Sequence, residues 1–279
     1  MPHNLHVQIS TALWEALAER SRTSGQTVSH IVQAALAETL DLAHESMYQV
    51  STSGAIVEGL YQGCVTVADL RMHGDVGLGT FEELDGEMIV IDGRCFQARS
   101  DGSVVEADDN ALSPYATVVN FAPDREADFL DVSSVADLES RLDADRRSDN
   151  SMVSFRITGH FASVNVRTAC KTPSGIGLAE ATATQPTFDF EDISGTLVGF
   201  WSPDYIKSIS IPGYHFHFIS ADRKHGGHVL GLHATSLHVE INDMNHVHLA
   251  VPETEAFMHA DLAADNSEVL HVAEHGRRT

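Results

Sequence analysis

The sequence predicts an α+β, β-dominated protein in which a small helical module precedes a strand-rich body. Three observations lead there. Residues 1–45 read as one short strand and two helices. From Ser46 onward, Asp-Gly and Gly-Gly pairs punctuate short apolar runs. The stretch from Gly195 to Val251 then offers strand after strand with little helical periodicity.

In the N-terminal module, Leu5, Val7 and Ile9 alternate with His6 and Gln8, which gives a strand with one apolar face. Ser10 or Thr11 caps a helix carrying Leu13, Trp14, Leu17 and Ala18 at helical spacing, and Gly25 ends it. Thr27 or Ser29 begins a second helix with Ile31, Val32, Ala35, Leu36 and Leu40 along one stripe. This order resembles the ribbon-helix-helix family, and the resemblance implies strands of two chains paired antiparallel, with outward side chains reading DNA. Those positions fall on His6 and Gln8, with Asn4 beside them. Yet residues 1–45 hold Arg20 and Arg22 against five acidic side chains, so dimerisation is expected and DNA binding is not.

In the body, Ala55–Leu60 and Val67–Arg71 are expected helices. Gly77 through Gln97 reads as strands, with Asp85-Gly86, Asp92-Gly93 and Asp101-Gly102 as turns. Val118–Phe121 and Met152–Phe161 are further strands on either side of a helix around Val135–Arg146. Strands follow at Gly195–Trp201, Tyr214–Ser220, Gly227–Leu232, Leu237–Ile241 and Val247–Val251. A helix over Glu253–Ala260 and a tail, Val269–Glu274, complete the chain. No GxGxxG opens a helix, so a dinucleotide fold is not indicated.

A chain of 279 residues accommodates two domains or one large β-rich domain. A formal net charge of -23 disfavours general nucleic-acid binding and anionic membrane surfaces. It leaves room for a small anion if a buried cation is supplied locally. Cys64, Cys95 and Cys170 are widely spaced and form no CxxC, so neither a disulfide framework nor a cysteine metal site is implied. The sequence lacks a membrane-length apolar run and a secretory pattern, so a cytoplasmic protein with no membrane partner is expected.

The chemistry concentrates in Tyr214-His215-Phe216-His217-Phe218 and the following Gly226-Gly227-His228. On a strand, His215 and His217 share a face, and a Gly-Gly turn would return His228 on a neighbouring strand. Three convergent imidazoles suit a catalytic zinc that keeps one position open. The phenylalanines imply burial, and a buried imidazole needs a partner. Histidine is common in this region, however, and His246 and His248 form a rival pair with the same spacing. Among possible helpers, Glu87 opens the apolar run Met88–Ile91 and is either a solvated strand end or an active-site acid. Arg167 alternates with Ser163 and Asn165, as an edge or ion-paired arginine also would.

The segments Gly79–Met88, Gly195–Tyr205 and Pro212–Leu230 resemble the bacterial α-acetolactate decarboxylase family, in the family's order and over about residues 46–274. The resemblance implies a mixed-sheet N-terminal region (46–160) extending across a dimer and a C-terminal β-barrel-like region (161–279) with the metal site. It implies zinc (Zn2+) on His215, His217 and His228, with Thr80, Glu87 and Arg167 in the active site. A second glutamate comes from the tail, where Glu274 matches ahead of Glu268, Glu255 and Glu253. The implied reaction converts 2-acetolactate into acetoin and carbon dioxide, on the way to butane-2,3-diol, through a metal-stabilised enediolate. A homodimer or higher homo-oligomer is expected. The other readings open to the same residues are a zinc hydrolase, a structural zinc protein, and a DNA-binding regulator with a metabolite-sensing body.

Overall fold

Period-two alternation along the strands builds two large sheets that pack face to face, beside a two-stranded one (Val65–Thr66 with Leu112–Ser113), and the candidate site lies where the large sheets meet. The computed structural model describes residues 5–40, 46–264, 269, 270 and 273. Its N-terminal helices are α1 (Thr11–Ser24) and α2 (Val28–Thr39). Next come β1 (Ser46–Val50), α3 (Ser53–Val57), β2 (Val65–Thr66), α4 (Val67–His73) and β3 (Val76–Thr80). They are followed by β4 (Glu87–Ile91), β5 (Arg94–Ala98), β6 (Val104–Glu106), β7 (Leu112–Ser113) and β8 (Tyr115–Val119). The remainder comprises β9 (Arg125–Val132), α5 (Val135–Asp145), β10 (Met152–Arg167), α6 (Leu178–Thr182), β11 (Thr187–Ser202), β12 (Gly213–Ser220), β13 (Gly226–Met244), β14 (His246–Ala250) and α7 (Glu255–His259).

The first sheet has seven strands in the order β14-β1-β8-β3-β4-β5-β6. It is mixed, because β1 runs parallel to β14 and antiparallel to β8. Asp92 and Gly93 both take positive φ, 52° and 70°, as the tight turn between β4 and β5 demands. β14 comes from the far end of the chain, and β10 runs unbroken through the expected 160/161 boundary.

The second sheet corrects the expected barrel. It has five antiparallel strands in the order β10-β11-β12-β13-β9, with an additional β10–β13 pairing. β12 meets β13 over only three register pairs, next to their turn, and β9 pairs only with β13. The long strands β10 and β13 pair antiparallel along most of their length, and register shifts at His160/Phe161, Phe161/Ser163 and Asn165/Val166 interrupt the ladder. The strands therefore make a five-stranded sheet and not a closed barrel.

The alternation of β12 explains the layering. Tyr214, Phe216 and Phe218 join the cluster inside the second sheet, which Leu138 and Leu142 of α5 cover. Ile219, on the opposite face with His215 and His217, packs with Val198 and Phe200 against Leu78, Ile89 and Ile91 of the first sheet. β12 thus presents its histidines to β4.

In the N-terminal module, the Ser10 hydroxyl caps α1 at Leu13 N, and Gly25 ends it at φ 73°. The expected strand Leu5–Ile9 is not formed: a lone segment has no ladder partner, and Leu5 and Val7 are 68% and 67% exposed. His30 and Ile31 of α2 are buried. His30 Nδ1 lies 3.2 Å from Asp124 Oδ1, and Arg147 donates to Gly25 O at 2.9 Å, so the module rests on the body.

Candidate active site

The site assembles from β3, β4, β10, β12 and β13. His215 and His217 point the same way from β12, with their Nε2 atoms 3.2 Å apart. His228 lies directly opposite His217 in the β12–β13 register. Ring centroids in the trio are 4.9 to 5.5 Å apart. Gly226 and Gly227 do not form the turn, as the spacing had suggested; they begin β13. A Cβ on Gly227, at φ +151°, would sit 2.5 Å from Arg167 O, so glycine lets β13 approach β10 and deliver His228 beside Arg167.

Across the layer, Thr80 of β3 faces Glu87 of β4 in register. The Thr80 hydroxyl donates to Gly86 O at 2.8 Å. Glu87 is 8% exposed; its Oε1 accepts from Ala169 N at 3.0 Å, and its Oε2 lies 3.5 Å from His217 Nε2. Arg167 ends β10 at 8% exposure, and its Nε is buried without a partner among the described residues. His217 Nδ1 donates to Met88 O at 2.8 Å. Burial first, then the neighbouring His215 and Arg167, hold the His217 imidazole well below its ordinary pKa against the pull of the Met88 carbonyl.

These groups share one pocket of about 570 Å³, its open mouth included. The sequence brought together Thr80, Glu87, Arg167, His215, His217 and His228, and all six line it. His246 and His248 lie elsewhere, on the exposed edge strand β14, where His248 stacks on Tyr48. Glu253 and Glu255 do not line the pocket. Glu274 and Glu268, like Asn4, lie outside the described residues. The tail nonetheless reaches the site, because Leu270 is buried and lines the pocket. Sequence reading missed Ser53, Tyr115, Leu178 and Gln185, which also line it. The short helix α6, unanticipated between two strands, places Leu178 there, and the segment that follows it carries Gln185.

The ligand atoms of the three histidines lie within 4.8 Å of one another, near enough to hold one cation. An ion there would act as an electrophile toward a bound oxygen.

A model of the α-acetolactate decarboxylase family matches residues 47–264. The chain is similar to the α-acetolactate decarboxylase of Methanosarcina mazei, 36% identical over 83% of this chain and 81% of that protein. It is likewise 38% identical to that of Methylococcus capsulatus, over 84% of this chain and 91% of the other. Among solved structures, the α-acetolactate decarboxylase of Bacillus subtilis strain 168 superposes at a TM-score of 0.79 with 33% identity, over 82% of this chain and 99% of that one.

The expectation of zinc has to be corrected. It rested on the convergence of three buried imidazoles and on the family resemblance, and the protein itself gives His217 two partners, Met88 O at Nδ1 and His215 at Nε2. What stands is a trio of histidines positioned to take a cation; neither a zinc requirement nor a zinc-dependent step follows from it.

Proposed function

We propose, from the premise that this chain belongs to the α-acetolactate decarboxylase family, that its pocket converts 2-acetolactate into acetoin and carbon dioxide through the residues described above. By that membership the protein is a carbon–carbon lyase. The observation that carries the assignment of residues is Arg167: a buried guanidinium whose Nε has no partner among the described residues, facing a pocket. An unpaired buried cation calls for an anion, and the substrate brings a carboxylate.

Acetolactate carries its carboxylate and a hydroxyl on one carbon, next to a ketone. Breaking the bond to the carboxylate releases carbon dioxide and leaves an electron pair. That pair forms the carbon–carbon double bond of an enediolate, with the negative charge on the former ketone oxygen. Arg167 orients the carboxylate and then stabilises the developing charge. Protonation of the enediolate carbon yields acetoin. Glu87 is the described acid–base candidate, since Ala169 N fixes one oxygen while the other faces the histidines. Thr80, anchored on Gly86 O, holds the turn that places Glu87. Glu274 is retained as the second carboxylate.

We assign residues 1–45 to self-association, with the chain acting as a homodimer or higher homo-oligomer and without DNA. The support is the exposed apolar row Leu5, Val7, Ile9, Leu13 and Trp14. No helix among the described residues is long and apolar enough to cross a membrane.

The test supplies racemic 2-acetolactate to the purified protein and measures acetoin. The same assay after dialysis against a strong chelator reads whether an ion on the histidines takes part. Acetoin from the parent and far slower formation by Arg167→Met is the expected result. An Arg167→Met protein with parental turnover would overturn the assignment.

A further inference from the structure

Two buried polar atoms of the pocket wall lack a partner among the described residues: Arg167 Nε and Gln185 Oε1. One is a donor and the other an acceptor. They are also neighbours in the fold. Arg167 pairs with Thr187 across β10 and β11, and Thr168 N donates to Pro186 O at 3.1 Å, which holds the segment carrying Gln185 beside the end of β10. Other polar groups of the wall are already engaged. The Thr80 hydroxyl gives its proton to Gly86 O, that of Ser53 goes to Lys207 O at 2.8 Å, and Glu87 Oε1 takes Ala169 N.

A buried acceptor kept from water without a donor is unfavourable, and a ligand bearing a donor relieves it. A carboxylate with a hydroxyl on the adjacent carbon offers what this pair lacks: an acceptor for Arg167 and a donor for the amide oxygen. We infer that Gln185 is a positioning residue that recognises the 2-hydroxyl of the substrate, so that the pocket selects 2-hydroxy acids over acids without that hydroxyl. This rests on the proposed reaction and deepens it. With the hydroxyl on Gln185 and the carboxylate on Arg167, two of the four substituents of the reacting carbon are fixed. The bond to be broken is thereby oriented relative to the ketone. A site built to hydrogen-bond a hydroxyl discriminates strongly against an analogue without it.

The probes are 2-hydroxy-2-methylpropanoate and 2,2-dimethylpropanoate, which differ by a hydroxyl in place of a methyl. Their binding to the full-length protein is measured directly by titration calorimetry. The parent should bind the hydroxy acid about tenfold more tightly, the factor expected for one net hydrogen bond. Gln185→Met, close in size and without the amide, should bring the ratio near one. Gln185→Glu keeps an acceptor while repelling both acids alike, so both should weaken and the ratio should persist. A purely structural role would move both affinities together in Gln185→Met and leave the ratio at its parental value, which overturns the inference. So does a parental ratio near one, or loss of the ratio in Gln185→Glu. Failure of the parent to form acetoin from 2-acetolactate would instead count against the reaction, and the calorimetric ratio would still decide the role of Gln185.

Discussion

His217 of β12 donates its Nδ1 proton to the carbonyl of Met88 in β4, across 2.8 Å between the two sheets. A carbonyl only accepts, so the bond fixes the tautomer, and the depressed pKa keeps the ring neutral. Nε2 is then a lone pair directed at His215 and Glu87. Replacing His217 by Ala empties a site that is 1% exposed and leaves the Met88 carbonyl without its donor. A loss of about 2–4 kcal/mol in stability is expected, together with loss of acetoin formation. Chemical denaturation and the acetoin assay check the two effects separately.

Arg167 should show the opposite balance. Its guanidinium is buried, with Nε unpartnered, so Arg167→Met is expected to hold or raise the melting temperature while kcat/KM falls by roughly 10²–10³, the range for losing one charge-stabilising donor. Arg167→Lys should stay folded and remain impaired, because an ammonium lacks the planar donor fork. A lysine variant with parental kinetics would remove Arg167 from the chemistry.

Glu87→Gln separates structure from proton transfer. The amide oxygen still accepts from Ala169 N, so the strand end stays in place. The ionisable group is gone, and turnover should drop by roughly 10²–10⁴ with little change in thermal unfolding. Parental turnover in this variant would rule out Glu87 as an acid or base.

One carboxylate far from the pocket gives a clean acid-stability test. Asp137, in the first turn of α5, titrates at about 2 because of its hydrogen bonds from Arg141 and, after that, from Ser133 N. A folded-state pKa below the ordinary value of 3.8 means stability that is full above that value and lost as pH falls toward 2. Melting temperatures of the parent and Asp137→Asn should therefore differ by a constant amount above about pH 5 and converge near pH 2. A gap that persists at pH 2 would show that the effect is not ionic.

The parts of the site that repeat every second residue were legible in the sequence. His215 and His217 share a face because strands alternate, and Thr80, Glu87 and Arg167 fell on strand ends that the pairing then brought together. Long-range register was not legible. β13 was expected as two strands, yet it is one of 19 residues paired with β10, and β9 was missed because Arg125–Val132 puts acidic side chains on an edge strand. The barrel failed for the same reason, since closure depends on how many residues β12 and β13 share. The Met88 carbonyl that takes the His217 Nδ1 proton was equally illegible, because it lies 129 residues away in the chain.

The N-terminal module offers a last test. Its hold on the body centres on His30 and Asp124, which are 0% and 1% exposed, with Arg147 on Gly25 O as a second tie. Asp124 is also used within the body, accepting from Asp243 N, so its removal would disturb β13 as well. His30→Ala is the cleaner change. It leaves one oxygen of a buried carboxylate short of a partner, which is unfavourable where it cannot be relieved. Here relief is available, because α2 can lift off. Limited proteolysis should therefore cut residues 5–40 faster in His30→Ala than in the parent, while acetoin formation per chain stays near the parental value. The pocket draws no residue from α1 or α2, which is why activity should survive. Equal protease resistance in the two proteins would mean that Ile31 and the backbone contact alone hold the module. Loss of turnover would instead connect the module to the shape of the site.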